Sequence, residues 1–259
     1  MQVRAKKHLG QHFLKDLSIA RDIAYAMREP YDCHTLEVGP GMGVLTQYLI
    51  EKKVDVKVAE IDTESVEYLK LNFPALHGRI IEGDFLKMNL DETFAGEEFT
   101  LIGNFPYNIS SQIMFHALDY YRHIPQIVGM FQKEVAERLT AEHGSKVYGI
   151  LSVLLKAYYD TEYLFTVPEH VFNPPPKVKS GVIRLVRKPN LMVDWDEAML
   201  KKIVKAGFNQ RRKTLRNALR VIGIPTAVQD SPLLDKRAEQ LPYTDFIALT
   251  RLYTESHNE

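Results

Sequence analysis

Short apolar segments alternate with segments of helical periodicity from about residue 30 to residue 187. Apolar side chains recur three or four positions apart in the helical segments, which predicts helices over 44–52, 65–71, 111–121 and 133–140. The segments between them are short and predict strands over 36–38, 56–60, 79–82, 100–103, 126–131 and 182–186. This alternation is typical of an α/β fold with a mostly parallel, doubly wound sheet. Ligands of such folds bind beyond the carboxyl ends of the strands, so functional residues are expected to follow strands.

The pattern changes near residue 187. Residues 188–190 look like a linker, and the sequence that follows has helical spacing only. We therefore predict an α/β domain over 1–187, which begins with a basic N-terminal arm over 1–15, and a small all-helical domain over 191–259. Before the boundary, 172–176 contains three consecutive prolines, which predicts a rigid loop because proline fixes φ and lacks a backbone donor.

Positive charge is concentrated in two places, although 33 Lys and Arg balance 33 Asp and Glu over the whole chain. Residues 201–220 carry eight Lys or Arg and no acid, and the N-terminal arm carries four more without an acid. Such blocks predict binding of a polyanion, with a solvated basic face as the alternative. If 211–220 is helical, Arg212, Arg216 and Arg220 form one stripe at four-residue spacing. The cations that we expect to contact phosphates of such a polyanion are Arg211, Arg212, Lys213, Arg216 and Arg220.

Several classes of protein are disfavoured by what the sequence lacks. Its single cysteine, Cys33, cannot form an internal disulfide or a CxxC metal site, and its histidines form no HExxH pair, so we expect no metal. The basic start lacks the apolar stretch of a signal peptide, and no run of about 18 apolar residues occurs. We expect a cytoplasmic protein outside the membrane.

A glycine-rich turn follows the first predicted strand of the α/β region. Gly39, Gly41 and Gly43 allow a ligand to approach the backbone closely. The dinucleotide fingerprint GxGxxG would require a glycine at residue 44, where Val44 stands. The spacing ExGxGxG, which begins at Glu37, is typical of Rossmann-like S-adenosylmethionine methyltransferases. The alternative is a purely structural tight turn.

Two acids follow the next two predicted strands. Glu60 ends the second strand, where its carboxylate is placed to accept both ribose hydroxyls of a nucleoside cofactor. Asp84 follows the third strand and is a candidate acceptor for the adenine amine of the same cofactor. The alternatives are a solvated acid at a strand end for Glu60 and a turn or helix cap for Asp84.

The sequence NFPY at 104–107 follows the fourth predicted strand. Methylating the exocyclic amine of an adenine is difficult because the nitrogen lone pair is delocalised into the ring. The side-chain oxygen of Asn104 and a main-chain carbonyl of the turn at Pro106 can accept the amine protons and favour a pyramidal, nucleophilic nitrogen. Tyr107 offers a face on which a base can stack. The alternative is a turn that closes a strand.

With these motifs the chain resembles a known family, the ribosomal RNA adenine dimethyltransferases, and most closely its bacterial small-subunit type. The resemblance rests on LGQHFL at 9–14, EVGPGMGVLT at 37–46, NFPYNIS at 104–110, FQKEVAERL at 131–139, FNPPPKV at 172–178 and FNQRRKTLRNAL at 208–219. It implies an enzyme that uses S-adenosylmethionine to dimethylate two adjacent adenines near the 3′ end of small-subunit ribosomal RNA during ribosome assembly. The expected partner is an assembling small subunit, and we expect the enzyme to be a monomer.

The resemblance also implies roles for individual residues. The cofactor contacts are expected at His12, Leu14, Gly39, Gly41, Glu60, Asp84 and Asn104. The catalytic set is expected at Asn104, Pro106, Tyr107 and Phe172, with the target base between the last two rings. Three positions depart from the family pattern: His12 replaces a frequent asparagine, Phe105 a common leucine and Lys179 a frequent aspartate.

Three other functions remain open on the sequence alone: an Erm-type enzyme acting on large-subunit RNA, a DNA adenine methyltransferase with a related NPPY loop, and a catalytically idle RNA-binding assembly factor. FNQRRKT and the triple proline favour the small-subunit enzyme, and a DNA enzyme would need a larger base-reading region than the residues after 190. The intact residues Gly39, Glu60, Asp84, Asn104 and Tyr107 argue against an idle protein.

Overall fold

The computed structural model describes residues 3–30 and 32–255. Positions 1 and 2 of the predicted arm and 256–259 of the predicted helical domain lie outside these residues. The strands are β1 Phe13–Leu14, β2 His34–Val38, β3 Val56–Glu60, β4 Ile80–Glu82, β5 Phe99–Asn104, β6 Gln126–Gln132, β7 Tyr159–Val167, β8 Phe172–Asn173 and β9 Ser180–Arg187. The helices are α1 Leu17–Tyr25, α2 Thr46–Glu51, α3 Thr63–Asn72, α4 Leu90–Phe94, α5 Ser110–Asp119, α6 Lys133–Thr140, α7 Ile150–Tyr158, α8 Glu197–Asn209, α9 Leu215–Ala218, α10 Thr226–Gln229 and α11 Tyr243–Glu255. Short 3-10 turns lie at Lys7–Leu9, Pro74–Leu76, Phe85–Lys87, Glu169–Val171, Leu219–Ile222, Pro232–Asp235 and Ala238–Gln240.

A seven-stranded sheet forms the centre of the α/β part, with the strand order β4-β3-β2-β5-β6-β9-β7. Strands β2 to β6 pair in parallel, and β9 runs antiparallel to β6. This confirms the predicted fold class, a mostly parallel α/β sheet. The carboxyl ends of β2, β3, β4 and β5 meet at one edge, which brings together the segments that carry Gly39, Glu60, Asp84 and Asn104.

The core beside the sheet is built by helices whose apolar residues recur on one face. In α1 the buried residues are Ala20, Ile23 and Ala24, which share a face because three or four positions make one helical turn. Asp16 begins this helix, since its side chain accepts hydrogen bonds from the backbone N–H groups of Ser18 and Ile19. The helix therefore has a fixed start directly after the arm.

A second, two-stranded sheet was not anticipated from the sequence. Strand β1 pairs with β8 in antiparallel register, with Phe13 opposite Asn173 and Leu14 opposite Phe172. Strands of two residues carry too short a pattern for period-two alternation to reveal them. The pairing ties the N-terminal arm to the proline-rich loop that follows β8.

The described residues form two compact units. The first contains the residues up to Ala136 together with Thr161–Arg187, and the second contains Glu137–Asp160 and the residues from Lys188 onward. This differs from the predicted boundary, because 137–160 was assigned to the α/β domain. Helix α7 explains the difference: residues Leu151–Tyr158 are all buried, and α7 packs against α8 and α11 of the second unit. A helix that is buried on every side does not reveal from its sequence pattern which neighbours bury it.

The second unit is mainly helical. Helix α8 begins at Asp196, which caps the N–H groups of Ala198 and Met199, and it buries Leu200, Ile203 and Val204. Helix α11 packs against both α7 and α8. Among residues 3–30 and 32–255, no helix combines the length and the apolar character needed to cross a membrane.

Candidate active site

The glycine-rich turn after β2 lines a cavity at the carboxyl edge of the sheet. Gly39 and Gly41 have φ values of 69° and 55°, a region that favours glycine. A Cβ on Gly41 would lie 2.9 Å from the ring of Phe13, so this position has no space for a larger residue. The ring of Pro106 lies on the other side of the turn, 3.8 Å from an ideal Cβ at Gly39. The glycine turn therefore lines the cavity together with Phe13 and Pro106.

Glu60 lies at the end of β3 and lines the same cavity. One carboxylate oxygen accepts from the backbone N–H of Gly41 at 3.0 Å, and the other accepts from those of Ile61 and Asp62 at 2.9 Å each. Burial raises the pKa of this carboxyl, and the backbone donors oppose that rise. The oxygen bonded to Gly41 accepts only this one hydrogen bond and keeps a second lone pair, so Glu60 both holds the glycine turn and keeps acceptor capacity at the cavity that it lines.

Glu37 is a site residue to which the sequence analysis gave no role of its own. Its side chain lines the cavity, is 1% exposed, and accepts a hydrogen bond from the hydroxyl of Thr46 at 2.6 Å. Burial raises the pKa of Glu37 to about 8, and the nearby charge of Glu60 adds to the rise. The carboxyl is therefore protonated at neutral pH and can donate a hydrogen bond. The sequence signal that could have indicated a site role for Glu37 is its place at the start of the ExGxGxG pattern.

Asp84 lines the cavity and also caps a turn. Its side chain accepts from the backbone N–H of Leu86 at 3.1 Å, at the start of the 3-10 turn Phe85–Lys87. Lys87 lies 3.7 Å from the second carboxylate oxygen. Asp84 therefore caps a turn, which was the alternative interpretation, and it also lies in the lining of the cavity. Phe85, which is buried, and Ile61, which is 50% exposed, both line the cavity beside it.

Asn104 ends β5, and its side-chain amide has a defined orientation. The amide nitrogen donates to the backbone carbonyl of His12 at 3.1 Å. Because the nitrogen is used in this way, the amide oxygen is the part of Asn104 that can accept a hydrogen bond within the cavity that it lines. This is the orientation that the proposed acceptor role requires.

The turn after Asn104 is fixed by buried packing. The ring of Phe105 is fully buried, packs on Phe131 with ring centroids 5.0 Å apart, and lies over Gly129, where a Cβ would be 2.2 Å from the ring. The carbonyl of Pro106 accepts from the N–H of Ile109 at 3.3 Å. Of the two carbonyls in the turn, that of Pro106 is thus engaged in closing it, and we assign the second acceptor role to the carbonyl of Phe105.

Tyr107 is half-buried, and two contacts hold it. Its hydroxyl forms a hydrogen bond with the hydroxyl of Ser180. Its ring is stacked with the imidazole of His12, with centroids 5.2 Å apart and planes at 28°. Burial raises the pKa of the phenol above its ordinary value, so Tyr107 stays protonated at neutral pH. One face of the predicted base-stacking residue is therefore covered by a residue that was predicted as a cofactor contact.

Phe172 does not lie at the cavity, which corrects its predicted place as the second stacking ring. Its side chain is 1% exposed and belongs to the apolar cluster that also contains Leu14, Ile23 and Val171. The residue pairs with Leu14 in the β1–β8 sheet, which directs the ring into the core. An aromatic residue beside a proline-rich loop has the same sequence pattern whether its ring faces a ligand or the core.

The N-terminal arm passes along the cavity, and residues 9–14 line it. A Cβ on Gly10 would lie 2.4 Å from the side chain of Asn108, so the arm approaches the NFPY segment closely. The ammonium group of Lys6 is bonded to Asp62 and lies 3.4 Å from Glu64. This arm cation is thus held by acids at the start of α3.

The basic segment does not form the predicted stripe. Helix α9 begins at Leu215 after the extended residue Thr214, so Arg212 precedes the helix and is not one turn from Arg216. Arg216 is held by Asp235, with its Nε 2.8 Å from the carboxylate, and by the carbonyl of Gln229 at 2.7 Å. These acceptors lie more than ten positions away in sequence, so spacing within 211–220 could not reveal them.

Two of the predicted phosphate ligands are therefore engaged within the second unit. Arg211 donates to Glu239 at 2.5 Å and to the carbonyl of Ser145 at 3.2 Å, much as Arg216 is held by Asp235. The side chains of Arg212, Lys213 and Arg220 are exposed. These three are the cations of the predicted set that best fit a phosphate contact.

Comparison with known proteins gives the family. The family described as "Ribosomal RNA adenine dimethylase" matches residues 2–255. The chain belongs to this family. It is 58% identical over 254 residues to "Ribosomal RNA small subunit methyltransferase A" of Cytophaga hutchinsonii, which covers 97% of this chain and 98% of the relative.

Solved structures agree with this family assignment. A dimethyladenosine transferase from Plasmodium falciparum is 26% identical with a TM-score of 0.77 and covers 95% of this chain and 98% of that chain. The 23S rRNA methyltransferase ErmE is 24% identical with a TM-score of 0.68, covers 92% of this chain and 99% of that chain, and shares the fold.

Proposed function

We propose that this family member transfers methyl groups from S-adenosylmethionine to the exocyclic amines of two adjacent adenines near the 3′ end of small-subunit ribosomal RNA, giving dimethyladenosines. The observation that carries the proposal is the orientation of Asn104, whose amide nitrogen is bonded to His12 so that its oxygen can accept from a substrate amine. The 58% identical relative named as a small-subunit methyltransferase supports the choice of RNA.

The cavity fits the proposed cofactor. Its glycine turn admits a ligand against the backbone, Glu60 keeps acceptor capacity for ribose hydroxyls, and Asp84 with Ile61 lies where a nucleoside base would be held. The protonated carboxyl of Glu37 adds a donor in the wall. Bound there, S-adenosylmethionine supplies an electrophilic methyl group.

The protein's part in the chemistry follows from the NFPY turn. The oxygen of Asn104 and the carbonyl of Phe105 accept the two amine protons, which favours a pyramidal nitrogen with an available lone pair. As the nitrogen bonds to the methyl carbon, the bond from that carbon to the cofactor sulfur would break, and its electron pair would leave with the neutral thioether. The nitrogen gains positive charge, and the same acceptors then interact more strongly than before. The N–H proton becomes acidic at this stage and passes to solvent, so a strong base is not needed before attack.

Tyr107 is proposed to hold the base rather than to react. A base extruded from structured RNA loses its stacking partners, and an aromatic face at the site compensates for that loss. The bond to Ser180 fixes the plane of the Tyr107 ring.

Contacts to RNA phosphates are proposed for Arg212, Lys213 and Arg220 of the second unit, which are exposed. We place the reaction on an assembling small subunit in the cytoplasm, with the enzyme acting as a monomer.

The direct test is incubation with labelled S-adenosylmethionine and one of three substrates: immature small subunits, large subunits or adenine-containing DNA. Nucleoside analysis then identifies the product. We expect dimethyladenosine in small-subunit RNA alone. Label in large-subunit RNA or in DNA would contradict the substrate, and binding to small subunits without any label would favour a non-catalytic assembly factor.

A further inference from the structure

His12 connects three parts of the candidate site. Its backbone carbonyl accepts from the amide of Asn104 at 3.1 Å, and its ring is stacked on Tyr107. Its Nδ1 lies 2.8 Å from the carbonyl oxygen of Pro174 in the proline-rich loop. A carbonyl oxygen only accepts, so Nδ1 carries a hydrogen and donates it. The ring is therefore held in place by one stack and one hydrogen bond.

The position of the imidazole matters for a substrate base. Two rings with centroids 5.2 Å apart leave no space for a third ring between them. A base that stacks on this face of Tyr107 thus needs the space that the imidazole fills. Tyr107 itself cannot easily turn away, because its hydroxyl is bonded to Ser180.

We propose that His12 holds the place of the target base: its imidazole covers the face of Tyr107 on which the adenine stacks, and the adenine displaces it on binding. This rests on the proposed function, since it presumes an adenine substrate. The two parts of His12 then have different roles: its side chain lies in the site of the target base, and its backbone carbonyl holds the amide of Asn104.

Displacement of the ring is compatible with the rest of the site. The imidazole is half-buried, and within residues 3–30 and 32–255 the specific contacts that rotation of the ring would break are the Tyr107 stack and the Pro174 hydrogen bond. The backbone carbonyl can stay bonded to Asn104 during that rotation, because β1 begins at the next residue and is paired with β8. The acceptor oxygen of Asn104 therefore keeps its orientation while the base replaces the imidazole.

The test compares dissociation constants for immature small subunits that carry either the two target adenines or abasic sites at both positions. The variants are His12→Ala, which removes the ring, and His12→Phe, which keeps a stacking ring without the Pro174 hydrogen bond. His77→Ala is the control for an exposed histidine of the same unit. An aromatic pair is worth about 0.5 to 1.5 kcal/mol, so His12→Ala is expected to bind adenine-containing subunits about three- to tenfold more tightly.

Abasic subunits separate this role from a structural one. Without a base there is no competitor for the imidazole, so we expect His12→Ala to bind abasic subunits as the wild type does, and we expect His12→Phe to resemble the wild type on both. Unchanged or weaker binding of adenine-containing subunits by His12→Ala would overturn the proposal. So would an increase in affinity of His12→Ala for abasic subunits that equals its increase for adenine-containing ones. An increase in affinity of His12→Phe as large as that of His12→Ala would overturn it as well. Failure of the wild type to methylate adenine-containing subunits would instead contradict the proposed function.

Discussion

The side-chain amide of Asn104 donates to the backbone carbonyl of His12 at 3.1 Å, across 92 positions of sequence. An isolated asparagine amide can turn by 180° and exchange its oxygen and nitrogen. This one cannot do so without losing the bond to His12, because both groups would then be acceptors. The N-terminal arm therefore orients the Asn104 amide and also forms part of the wall of the cavity.

Replacing Glu60 with alanine is expected to weaken S-adenosylmethionine binding by about tenfold to a hundredfold, since a hydrogen bond to a charged group contributes about 1.5 to 3 kcal/mol. Isothermal titration calorimetry measures this directly. The matched control is Glu82→Ala, because Glu82 stands opposite Glu60 on β4 and is exposed. Equal affinities for Glu60→Ala and the wild type would remove Glu60 from the cofactor site.

Glu37 should make the protein less stable as the pH rises. Its pKa is about 8 in the folded protein against an ordinary value of 4.5, so between these values the folded state holds a proton that the unfolded state has lost. The free energy of unfolding therefore falls across this window, by up to a few kcal/mol. Glu37→Gln keeps an acceptor for Thr46 and does not titrate.

Urea unfolding at several pH values between 5 and 8.5 tests this expectation. The loss of stability with rising pH should be smaller in Glu37→Gln than in the wild type. The same slope in both proteins would show that Glu37 is not held protonated by the fold.

Phe172→Ala is expected to act on stability, because its ring is buried in the apolar cluster beside the sheet. Removing a buried phenylalanine ring costs about 3 to 5 kcal/mol of unfolding free energy. Val178→Ala, in the same loop but 46% exposed, should cost far less. Urea denaturation distinguishes the two. If the Phe172→Ala protein has wild-type stability but loses dimethylation, the result would contradict this account and support a role for the Phe172 ring in binding the base.

The cations of the second unit should divide into two groups. Changing Arg212, Lys213 and Arg220 to glutamine is expected to weaken binding to small subunits and to reduce the dependence of log K on log salt by about two to three units. Changing Arg211 and Arg216 instead removes two partly exposed ion pairs, which should cost at most about 1 kcal/mol of stability each and leave the salt dependence nearly unchanged. Equal salt slopes for both sets would contradict this division.

The features predicted well from the sequence are those with a local signal. All six predicted strands exist. Four of them, β2, β3, β5 and β6, are parallel and mostly buried, and such strands give short apolar runs of the right length. The glycine turn, Glu60, Asp84 and Asn104 lie together because each follows a strand of one parallel sheet. Their grouping required only the alternation of strands and helices.

The features missed depend on contacts between distant residues. The burial of Phe172 comes from its pairing with Leu14, and the engagement of Arg216 comes from Asp235. Helix α9 begins at Leu215, later than predicted, because Thr214 is extended and forms an isolated bridge with Arg237. None of these partners is adjacent in sequence, so neither periodicity nor residue type indicates them.

The central claim is that Asn104 activates the amine of an adenine in small-subunit RNA. Its most direct test is a single-turnover time course of mono- and dimethyladenosine by mass spectrometry, with saturating cofactor and immature small subunits, for the wild type, Asn104→Ala and the control Asn108→Ala from the same segment. We predict a loss of about a hundredfold or more in the methylation rate of Asn104→Ala with unchanged affinity for the subunit, and a much smaller loss for Asn108→Ala. A near-normal rate in Asn104→Ala would contradict the account.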